Sequence, residues 1–331
     1  MTTFDLAPGD VTTREAVAQK YGGSVFSGGI VPAEASKKVF VYSDPSVGEK
    51  HGYTFDGQAE DDEFGTLYLY TGAGPGDQKV ARGNKNLMDT LTNGREIHLF
   101  VANGKEPGKK LVKQRYIGQV VLDELPYVMR KAPDKHGVNR QVIVFRFRPA
   151  PGAVLALEPQ DAVKPATKSG VVDLPLDWFG QAIDAVKAKK TEKHKTSETV
   201  AEIKGGLRKV QRREGQLVTA FEEHLSSVGH AFKSFQISAE GEPGPLVPDL
   251  YDITDNVLYE AKGLSTRPNV RMAVGQLLDY RRHLKDEVPD GLRLAVLLPS
   301  EPTPDARAFL EAEGIALVVQ NDGGFSGFPV E

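Results

Sequence analysis

The sequence contains no cysteine. This absence excludes disulfide bonds and thiolate metal sites, and it fits the reducing cytoplasm, the location that we expect. No apolar run approaches the roughly 20 residues of a membrane-spanning helix, so no membrane partner is expected. The amino terminus, MTTFDLAPGD, lacks the basic flank and apolar stretch of a secretory signal. The formal net charge of −4 gives no global excess of positive charge that would indicate nucleic-acid binding.

The composition divides the 331 residues into three zones. Single hydrophobic cores rarely grow much beyond about 250 residues, so this length favours two domains. Residues 1–150 carry short runs such as VFVYS and QVIVFRFR between Gly- and Asp-rich turns, which predicts a mostly β domain. Residues 151–213 are a predicted linker, with a helix expected over 176–188. Residues 214–331 alternate helical and strand patterns, which predicts an α/β domain.

The linker contains a basic run. From Lys187 to Arg213 there are ten lysines and arginines against three acids. The simplest interpretation is a solvated linker. The alternative is a phosphate-binding stretch, whose affinity would depend steeply on salt concentration.

Two carboxylates and one ammonium lie close together in the carboxyl-terminal zone. Asp249 follows a proline, ten residues separate it from Glu260, and Lys262 comes two residues after that. Side chains two apart on a strand share a face, so Glu260 and Lys262 are expected to point the same way. Such a set can hold a divalent cation and activate a water. It can also be an ordinary salt-bridged strand edge.

Further polar residues flank this set. Glu214 lies at the start of a predicted helix, where it could also be a first-turn acid facing the helix dipole. Gln276 and Tyr280 are four apart, on one face of another predicted helix. Asp252 and Asp255 compete for the ligand role, but neither follows a proline and both are expected at the end of a strand.

Together these residues resemble the PD-(D/E)XK nuclease superfamily, in its QxxxY branch, over roughly residues 214–320. The resemblance implies a Mg²⁺-dependent DNA endonuclease, with Mn²⁺ as a substitute. A hard cation held by carboxylates neutralises a scissile phosphate and makes a water nucleophilic near neutral pH. The resemblance implies Asp249, Glu260 and Glu214 as metal ligands, Asp249, Glu260, Lys262, Gln276 and Tyr280 as catalytic residues, and Arg271 as a phosphate contact.

The amino-terminal zone carries an ordered set of motifs between residues 51 and 102. They are Gly52-Tyr53, Asp56 three residues later, Tyr70 followed by TGAGPGD, Asp77-Gln78, and Gly83-Asn84 before a helical stretch. The set resembles the SRA (YDG) domain of bacterial modification-dependent restriction enzymes, a module that grips a flipped modified cytosine. For any single motif, the alternative is a β-hairpin with a buried tyrosine.

The SRA resemblance implies roles for these residues. Tyr53 and Tyr70 would stack on the flipped base, and Asp56 would accept a hydrogen bond from the cytosine N4 amine. Asp77, Gln78 and Asn84 would contact DNA. Tyr68, two residues before Tyr70, is instead expected in the core or on the opposite face of its strand.

An SRA-like domain that reads modified cytosine, together with a nuclease domain in the same chain, predicts a type IV-like, modification-dependent restriction endonuclease. Its partner would be double-stranded DNA with 5-methyl- or 5-hydroxymethylcytosine. The predicted fold is mixed, with a mostly β SRA-like domain, a helical basic linker and an α/β nuclease domain. The alternatives are a modification-independent repair or recombination nuclease, and a modified-DNA-binding module with an inactive nuclease fold. One active site hydrolyses one strand at a time, so double-strand cleavage is expected to need a homo-oligomer.

Overall fold

The computed structural model describes residues 4–26, 28–45, 55–59, 65–105, 108, 111–134, 136–174, 205–322 and 324–328, without the side chains of 205–212. The described residues form two compact units. The first ends at Pro165, and the second comprises residues 166–174 together with those from 205 onward. None of the described helices is long and apolar enough to cross a membrane.

The described part of the amino-terminal unit is dominated by one sheet. Its elements are β1 (Val11–Thr13), α1 (Arg14–Tyr21), β2 (Ile30–Ala33), β3 (Lys38–Ser43), β4 (Gly57–Gln58), β5 (Tyr68–Thr71), α2 (Arg82–Asn93), β6 (Glu96–Lys105), β7 (Val112–Pro133) and β8 (Asn139–Pro149). The strand order is β2-β3-β6-β7-β8-β5-β4, with β1 paired to β7. Strands β3 and β6 are parallel, and the other pairs are antiparallel.

The strands predicted from the alternating and β-branched runs are confirmed. VFVYS lies in β3 and QVIVFRFR in β8. Tyr68 pairs with Phe147 and Tyr70 with Phe145 across β5 and β8, so the four rings lie on one face of the sheet. All four are buried, and Tyr68 is 0% exposed. Its predicted core position is therefore confirmed, and the alternative, the face opposite Tyr70, is wrong because residues two apart on a strand share a face.

The residues after β8, as far as Pro165, belong to the same unit and are bonded to its sheet. The buried Arg115 donates two hydrogen bonds to the carboxylate of Asp161, at 2.6 and 2.7 Å. Gly57 has a φ of +142°, and a Cβ there would lie 2.6 Å from the backbone nitrogen of Val163, so only glycine fits. The sequence assigned this stretch to the linker 151–213, whereas the structure attaches it to the sheet through a buried ion pair.

The carboxyl-terminal unit is also built on one sheet. Its elements are β9 (Gly170–Leu174), α3 (Gly205–Ser227), β10 (Phe232–Ser238), β11 (Leu250–Asp252), β12 (Val257–Ala261), α4 (Arg267–Leu284), β13 (Arg293–Leu298), α5 (Pro304–Ala312), β14 (Ala316–Asn321) and β15 (Gly324–Ser326). The strand order is β15-β14-β13-β12-β11-β10-β9. Strands β12, β13 and β14 are parallel, and the remaining pairs are antiparallel.

The helix and strand order predicted for this unit is confirmed, with two additions, the strands β9 and β15. Strand β9 lies inside the predicted linker, where it pairs with β10 along its whole length. Five residues next to a Pro- and Ala-rich stretch give too weak a pattern to predict a strand. The predicted helix over 176–188, and the basic run as far as Lys204, lie outside the described residues.

Helices cover this sheet from two sides. On α3, Leu217, Phe221 and Leu225 pack against side chains of β12 that include Tyr259. Leu258, the neighbouring residue of β12, packs with α4 and α5. Side chains alternate along a strand, so Glu260 shares the face of Leu258 and points toward the α4 side.

Candidate functional site

The charged residues of the D-x10-E-x-K pattern meet at one end of β11 and β12. Lys262 Nζ donates to Glu260 Oε1 at 2.7 Å, and both residues are only 3% exposed. The N–H of Ala261 donates to Asp249 Oδ2 at 2.7 Å, which fixes Asp249 beside the same strand. Strand β12 lies between β11 and β13, so this ion pair is in the interior of the sheet and not at a strand edge.

Glu214 reaches the same place from helix α3. Its Oε2 accepts a hydrogen bond from the N–H of Gly263, the residue after Lys262, at 3.3 Å. Helix α3 begins at Gly205, so Glu214 is well inside the helix. The alternative of a first-turn acid that faces the helix dipole is therefore wrong.

Burial and charge repulsion perturb this cluster. Burial raises the pKa of Glu260 well above its ordinary value, and the nearby Asp249 raises it further against the opposing effect of Lys262. Burial also raises the pKa of Asp249. Burial alone would lower the pKa of Lys262, but the surrounding carboxylates outweigh it and raise that pKa. Lys262 is therefore surrounded by three acids, whose charges favour its ammonium form.

Two buried oxygens near this cluster lack partners. Glu260 Oε2 and Gln276 Oε1 have no hydrogen bond among the described residues. Gln276 Nε2 donates to the hydroxyl of Tyr280 at 3.3 Å. Burial raises the pKa of Tyr280, and the charges of Glu260 and Asp249 raise it further, so the pair lies near the acids. An unsatisfied buried oxygen costs about 1–3 kcal/mol, and a bound cation would remove that penalty.

The competing acids lie at the other end of β11, as predicted. His230, Asp252 and Asp255 bring three ligand atoms within 4.8 Å, a closer grouping than Glu214, Asp249 and Glu260 reach among the described residues. We nevertheless favour Glu214, Asp249 and Glu260 as the metal ligands, for a chemical reason. Asp252 Oδ2 lies 2.7 Å from His230 Nδ1, and its Oδ1 accepts from the N–H groups of Thr254 and Asp255. Its Oδ1 thus already accepts two hydrogen bonds and its Oδ2 is engaged by His230, whereas Glu260 Oε2 has no partner among the described residues.

Asp56 in the amino-terminal unit is a buried acid held by neutral donors. Its Oδ1 accepts from the N–H of Thr71 at 2.7 Å, and its Oδ2 accepts from Ser43 Oγ at 3.2 Å. Burial raises the pKa of Asp56 to about 6, and the hydrogen bonds from Thr71 and Ser43 oppose this shift. The bond to Thr71 places Asp56 beside the residue that follows Tyr70.

Tyr70 is tightly enclosed. Its ring centroid lies 6.1 Å from that of Phe147, and a Cβ at Gly29 would overlap the Tyr70 hydroxyl, so the Gly29 loop passes directly against it. The partner ring predicted at Tyr53 lies outside the described residues. The hydroxyl of Thr71 is buried and lies close enough to Asp56 to lower the pKa of that acid. Thr71 lies inside the Tyr70-Thr-Gly motif, but the motif by itself assigned no role to its side chain.

Gln78, a predicted DNA contact, is buried and bonded to the backbone. Its Nε2 donates to the carbonyl of Gly72 at 2.6 Å, and its Oε1 accepts from the N–H of Ile143 at 2.9 Å. Asp77 is exposed, and its Oδ1 accepts from the N–H of Gln141 at 2.8 Å. These bonds fasten the glycine-rich loop after Tyr70 to β8.

Asn84 and Arg140 hold the same loop. Asn84, 1% exposed, accepts from the N–H of Ala73 at 2.8 Å and donates to its carbonyl at 3.0 Å. Arg140 Nη1 donates to the carbonyls of Gly74 and Gly76, at 2.7 and 3.2 Å. Arg140 was missed by the sequence analysis, because more than sixty residues separate it from the loop. Both side chains therefore fix the backbone of the loop.

Arg271, the predicted phosphate contact of the carboxyl-terminal unit, is exposed on α4. It lines a cavity together with Arg267 and Asp305. Those two residues form an ion pair across the cavity. The side chain of Arg271 therefore remains open to solvent.

The amino-terminal unit has a recognisable relative in sequence. Residues 8–168 match the family described as the ScoMcrA-like SRA domain. This range extends past the predicted boundary at residue 150 and includes the stretch held by Arg115 and Asp161. No curated protein matches the chain at a significant level.

Solved structures with some likeness include two of ScoMcrA. One contains its sulfur binding and SRA domains with phosphorothioated DNA, at 19% identity and a TM-score of 0.33, covering 55% of this chain and 45% of that one. The other is the type IV phosphorothioation-dependent restriction endonuclease ScoMcrA, at 18% identity and a TM-score of 0.34, covering 66% of this chain and 42% of that one. The SUVH5 SRA domain with hemimethylated CG DNA has 18% identity and a TM-score of 0.31, covering 46% of this chain and 93% of that one.

The chain thus spans less than half the length of either ScoMcrA structure. The family match is independent of these structural likenesses and covers the whole described sheet of the first unit. Residues 8–168 of this chain, just under half of its length, therefore match the ScoMcrA-like SRA domain in sequence.

Proposed function

We propose that this protein is a modification-dependent DNA endonuclease. Its SRA domain would read 5-methyl- or 5-hydroxymethylcytosine, and its carboxyl-terminal unit would be a PD-(D/E)XK nuclease of the QxxxY branch. The observation that carries the proposal is the buried cluster of Asp249, Glu260 and Lys262 in the same chain as an SRA domain. Perturbed acids around one ammonium are typical of a catalytic centre.

The reading step turns the modified cytosine out of the duplex, because its edges cannot be examined within the stack. Tyr53 and Tyr70 stack on the two faces of the base. Asp56 accepts a hydrogen bond from the N4 amine, since each carboxylate oxygen holds one hydrogen bond and can accept another.

The topology of the second unit supports the nuclease assignment. Helix α3, the antiparallel strands β10, β11 and β12, helix α4 and the parallel strand β13 follow one another in the order expected for the fold. The QxxxY pair, Gln276 and Tyr280, lies on α4, on the side of the sheet that Glu260 faces.

The donor set fits a hard divalent cation. Asp249 and Glu260 would hold it, with Glu214 completing the carboxylate shell, and the unpartnered Glu260 Oε2 is the oxygen best placed to do so. Bound Mg²⁺, or Mn²⁺ in its place, would offset the charge of the scissile phosphate and lower the pKa of a water.

Lys262 contributes charge to the reaction. Its raised pKa keeps the proton on Nζ, so it orients the attacking water and stabilises the negative charge that develops on the phosphate. The same side chain would also be placed to help deprotonate that water. Gln276 and Tyr280 position the scissile strand from α4, and Arg271 holds a flanking phosphate.

A separation of binding from cleavage tests this proposal. In EDTA, the protein should bind a duplex with one modified cytosine in preference to an unmodified duplex, without cutting either. Adding Mg²⁺ should start cleavage of the modified duplex. Cleavage that survives EDTA would reject the metal mechanism, and equal binding of the two duplexes would reject the reader.

Double-strand cleavage, we further propose, requires two protomers, because one catalytic centre hydrolyses one strand at a time. The linker length predicts cuts to one side of the modified base. Cut ends should be mapped on a duplex with one modified cytosine over a series of protein concentrations. Double-strand breaks centred on that base and made by a monomer would overturn this arrangement.

A further inference from the structure

Two unpaired cations lie at the end of the glycine-rich loop. Lys79 and Arg82 are exposed, and neither side chain makes an ion pair or a hydrogen bond with any residue that the structure describes. The next cation, Lys85, is different, since its ammonium lies 2.9 Å from the carboxylate of Asp89. The loop thus presents two free positive charges and one that is already neutralised.

The backbone beneath Lys79 is fixed. Its carbonyl accepts from the Nδ2 of the buried Asn84 at 3.0 Å and from the N–H of Ala81 at 2.8 Å. The preceding residue, Gln78, is anchored to β8. The ammonium of Lys79 therefore extends from a rigid base, which reduces the entropy lost on binding.

Arg82 occupies an unusual backbone conformation. Its φ is +49°, in the left-handed region that non-glycine residues enter at a cost of about 1–2 kcal/mol. A glycine at residue 82 would carry no such strain, but the glycine in this sequence is the next residue, Gly83. Strained residues concentrate at functional sites.

Helix α2 adds backbone donors at the same place. It begins at Arg82, its N-cap Ala81 provides no side-chain hydrogen bond, and its first turn has no acid. The first N–H groups of such a helix carry positive partial charge and suit an anion. The exposed acid of the loop, Asp77, has one carboxylate oxygen engaged by the N–H of Gln141.

We propose that Lys79, Arg82 and the first turn of α2 form a phosphate-binding surface for the DNA backbone beside the base pocket. This inference rests on the proposed reading function and extends it. One loop joins the two features, since it begins at Tyr70 and Thr71 and ends at this surface. The amides of Gln78 and Asn84 hold the loop, and the free cations make the contact.

The test uses the full chain in EDTA, with duplexes that carry one 5-methylcytosine or none, over a range of salt concentrations. The double variant Lys79→Ala, Arg82→Gly should weaken binding to both duplexes severalfold and by the same factor. The slope of log K against log salt should become shallower by about 1.8, or about 0.9 per phosphate contact. Glycine at residue 82 keeps the left-handed backbone without strain, so misfolding would not explain a loss.

Two further variants are matched controls. The double variant Lys85→Ala, Asp89→Ala should leave affinity and slope nearly unchanged, because it removes an ion pair and keeps the net charge. Arg82→Lys in the otherwise wild-type chain should keep most of the salt dependence that Arg82→Gly loses, because lysine retains the positive charge. An unchanged slope in the double variant overturns this surface, and so does a loss confined to the modified duplex. If the wild-type protein shows no preference for modified DNA, the proposed function fails instead.

Discussion

One buried acid in each unit shows how its surroundings determine what the acid can do. Asp56 accepts hydrogen bonds only from neutral groups, Ser43 and the backbone of Thr71, among the described residues, and its pKa rises to about 6. Glu260 accepts from the ammonium of Lys262 and lies near other acids, so burial and like charge together raise its pKa well above the ordinary value.

The difference separates two kinds of chemistry. A lone acid among neutral donors can ionise near neutral pH and accept one more hydrogen bond from a neutral group, such as an amine. Acids that repel one another are stabilised by a shared cation. We therefore expect Asp56 to read a base and Glu260 to bind metal. Changing each acid should affect one activity and not the other.

The largest effect is expected in the carboxyl-terminal cluster. Glu260→Gln keeps the shape of the side chain but removes its charge, so the cleavage rate should fall on the order of a thousandfold while binding to modified DNA is retained. Asp249→Asn and Lys262→Ala should behave alike. Asp252→Asn is the matched control, because this acid is buried at the other end of β11. A Glu260→Gln protein that cuts at the wild-type rate would show that the cluster is structural.

Loss of a stacking ring should be the next largest effect. Tyr70→Ala and Tyr53→Ala should each reduce the preference for modified over unmodified duplex tenfold to a hundredfold, since base stacking on an aromatic ring is worth about 1–3 kcal/mol. Tyr70→Phe should keep the preference, because it keeps the ring. Competition binding of the two duplexes measures the ratio. Full discrimination by Tyr70→Ala would refute the pocket.

Removing a side chain that holds the glycine-rich loop after Tyr70 should weaken the recognition of modified DNA indirectly. Gln78→Ala and Asn84→Ala leave backbone groups of Gly72 and Ala73 unsatisfied, so the free energy of unfolding should fall by about 1–3 kcal/mol. The preference for modified DNA should fall with it, by about tenfold or less. Denaturant unfolding and competition binding check the two effects. Asp77→Asn retains an acceptor for the loop and should change neither quantity.

The smallest effect concerns pH. Asp56 must be ionised to accept from the N4 amine, and its pKa in the free protein is about 6. The ratio of affinities for modified and unmodified duplex should therefore be highest above pH 6 and fall severalfold as the pH drops through that value. Taking the ratio cancels the titration of groups that act on both duplexes. Asp56→Asn should make the ratio independent of pH, and a variant that keeps the wild-type profile would assign the titration to another group.

Much of the fold could be predicted because its signals are local. The runs that became β3 and β8 show β-branched and aromatic alternation, and Leu217, Phe221 and Leu225 show the helical period. The meeting of Asp249 and Glu260 was also predictable, since adjacent strands with a short connection bring both acids to one end of the sheet.

The rest depended on contacts between residues distant in sequence. A motif identifies Gln78 and Asn84, but only the folded loop shows that their amides face the backbone and not solvent. Arg140 and Arg115 act on partners far along the chain, and no local pattern marks such pairs. The free cations at Lys79 and Arg82 could not be distinguished from the paired Lys85 without the structure.

The central claim is that cutting depends on modification. The most direct measurement compares the initial cleavage rates of two otherwise identical plasmids, one unmodified and one cytosine-methylated or hydroxymethylated, with the same protein and Mg²⁺. We predict rapid cleavage of the modified plasmid and none of the unmodified one. Equal cleavage of both would indicate a repair-type nuclease, and binding without any cleavage would indicate an inactive nuclease fold; either result would contradict this account.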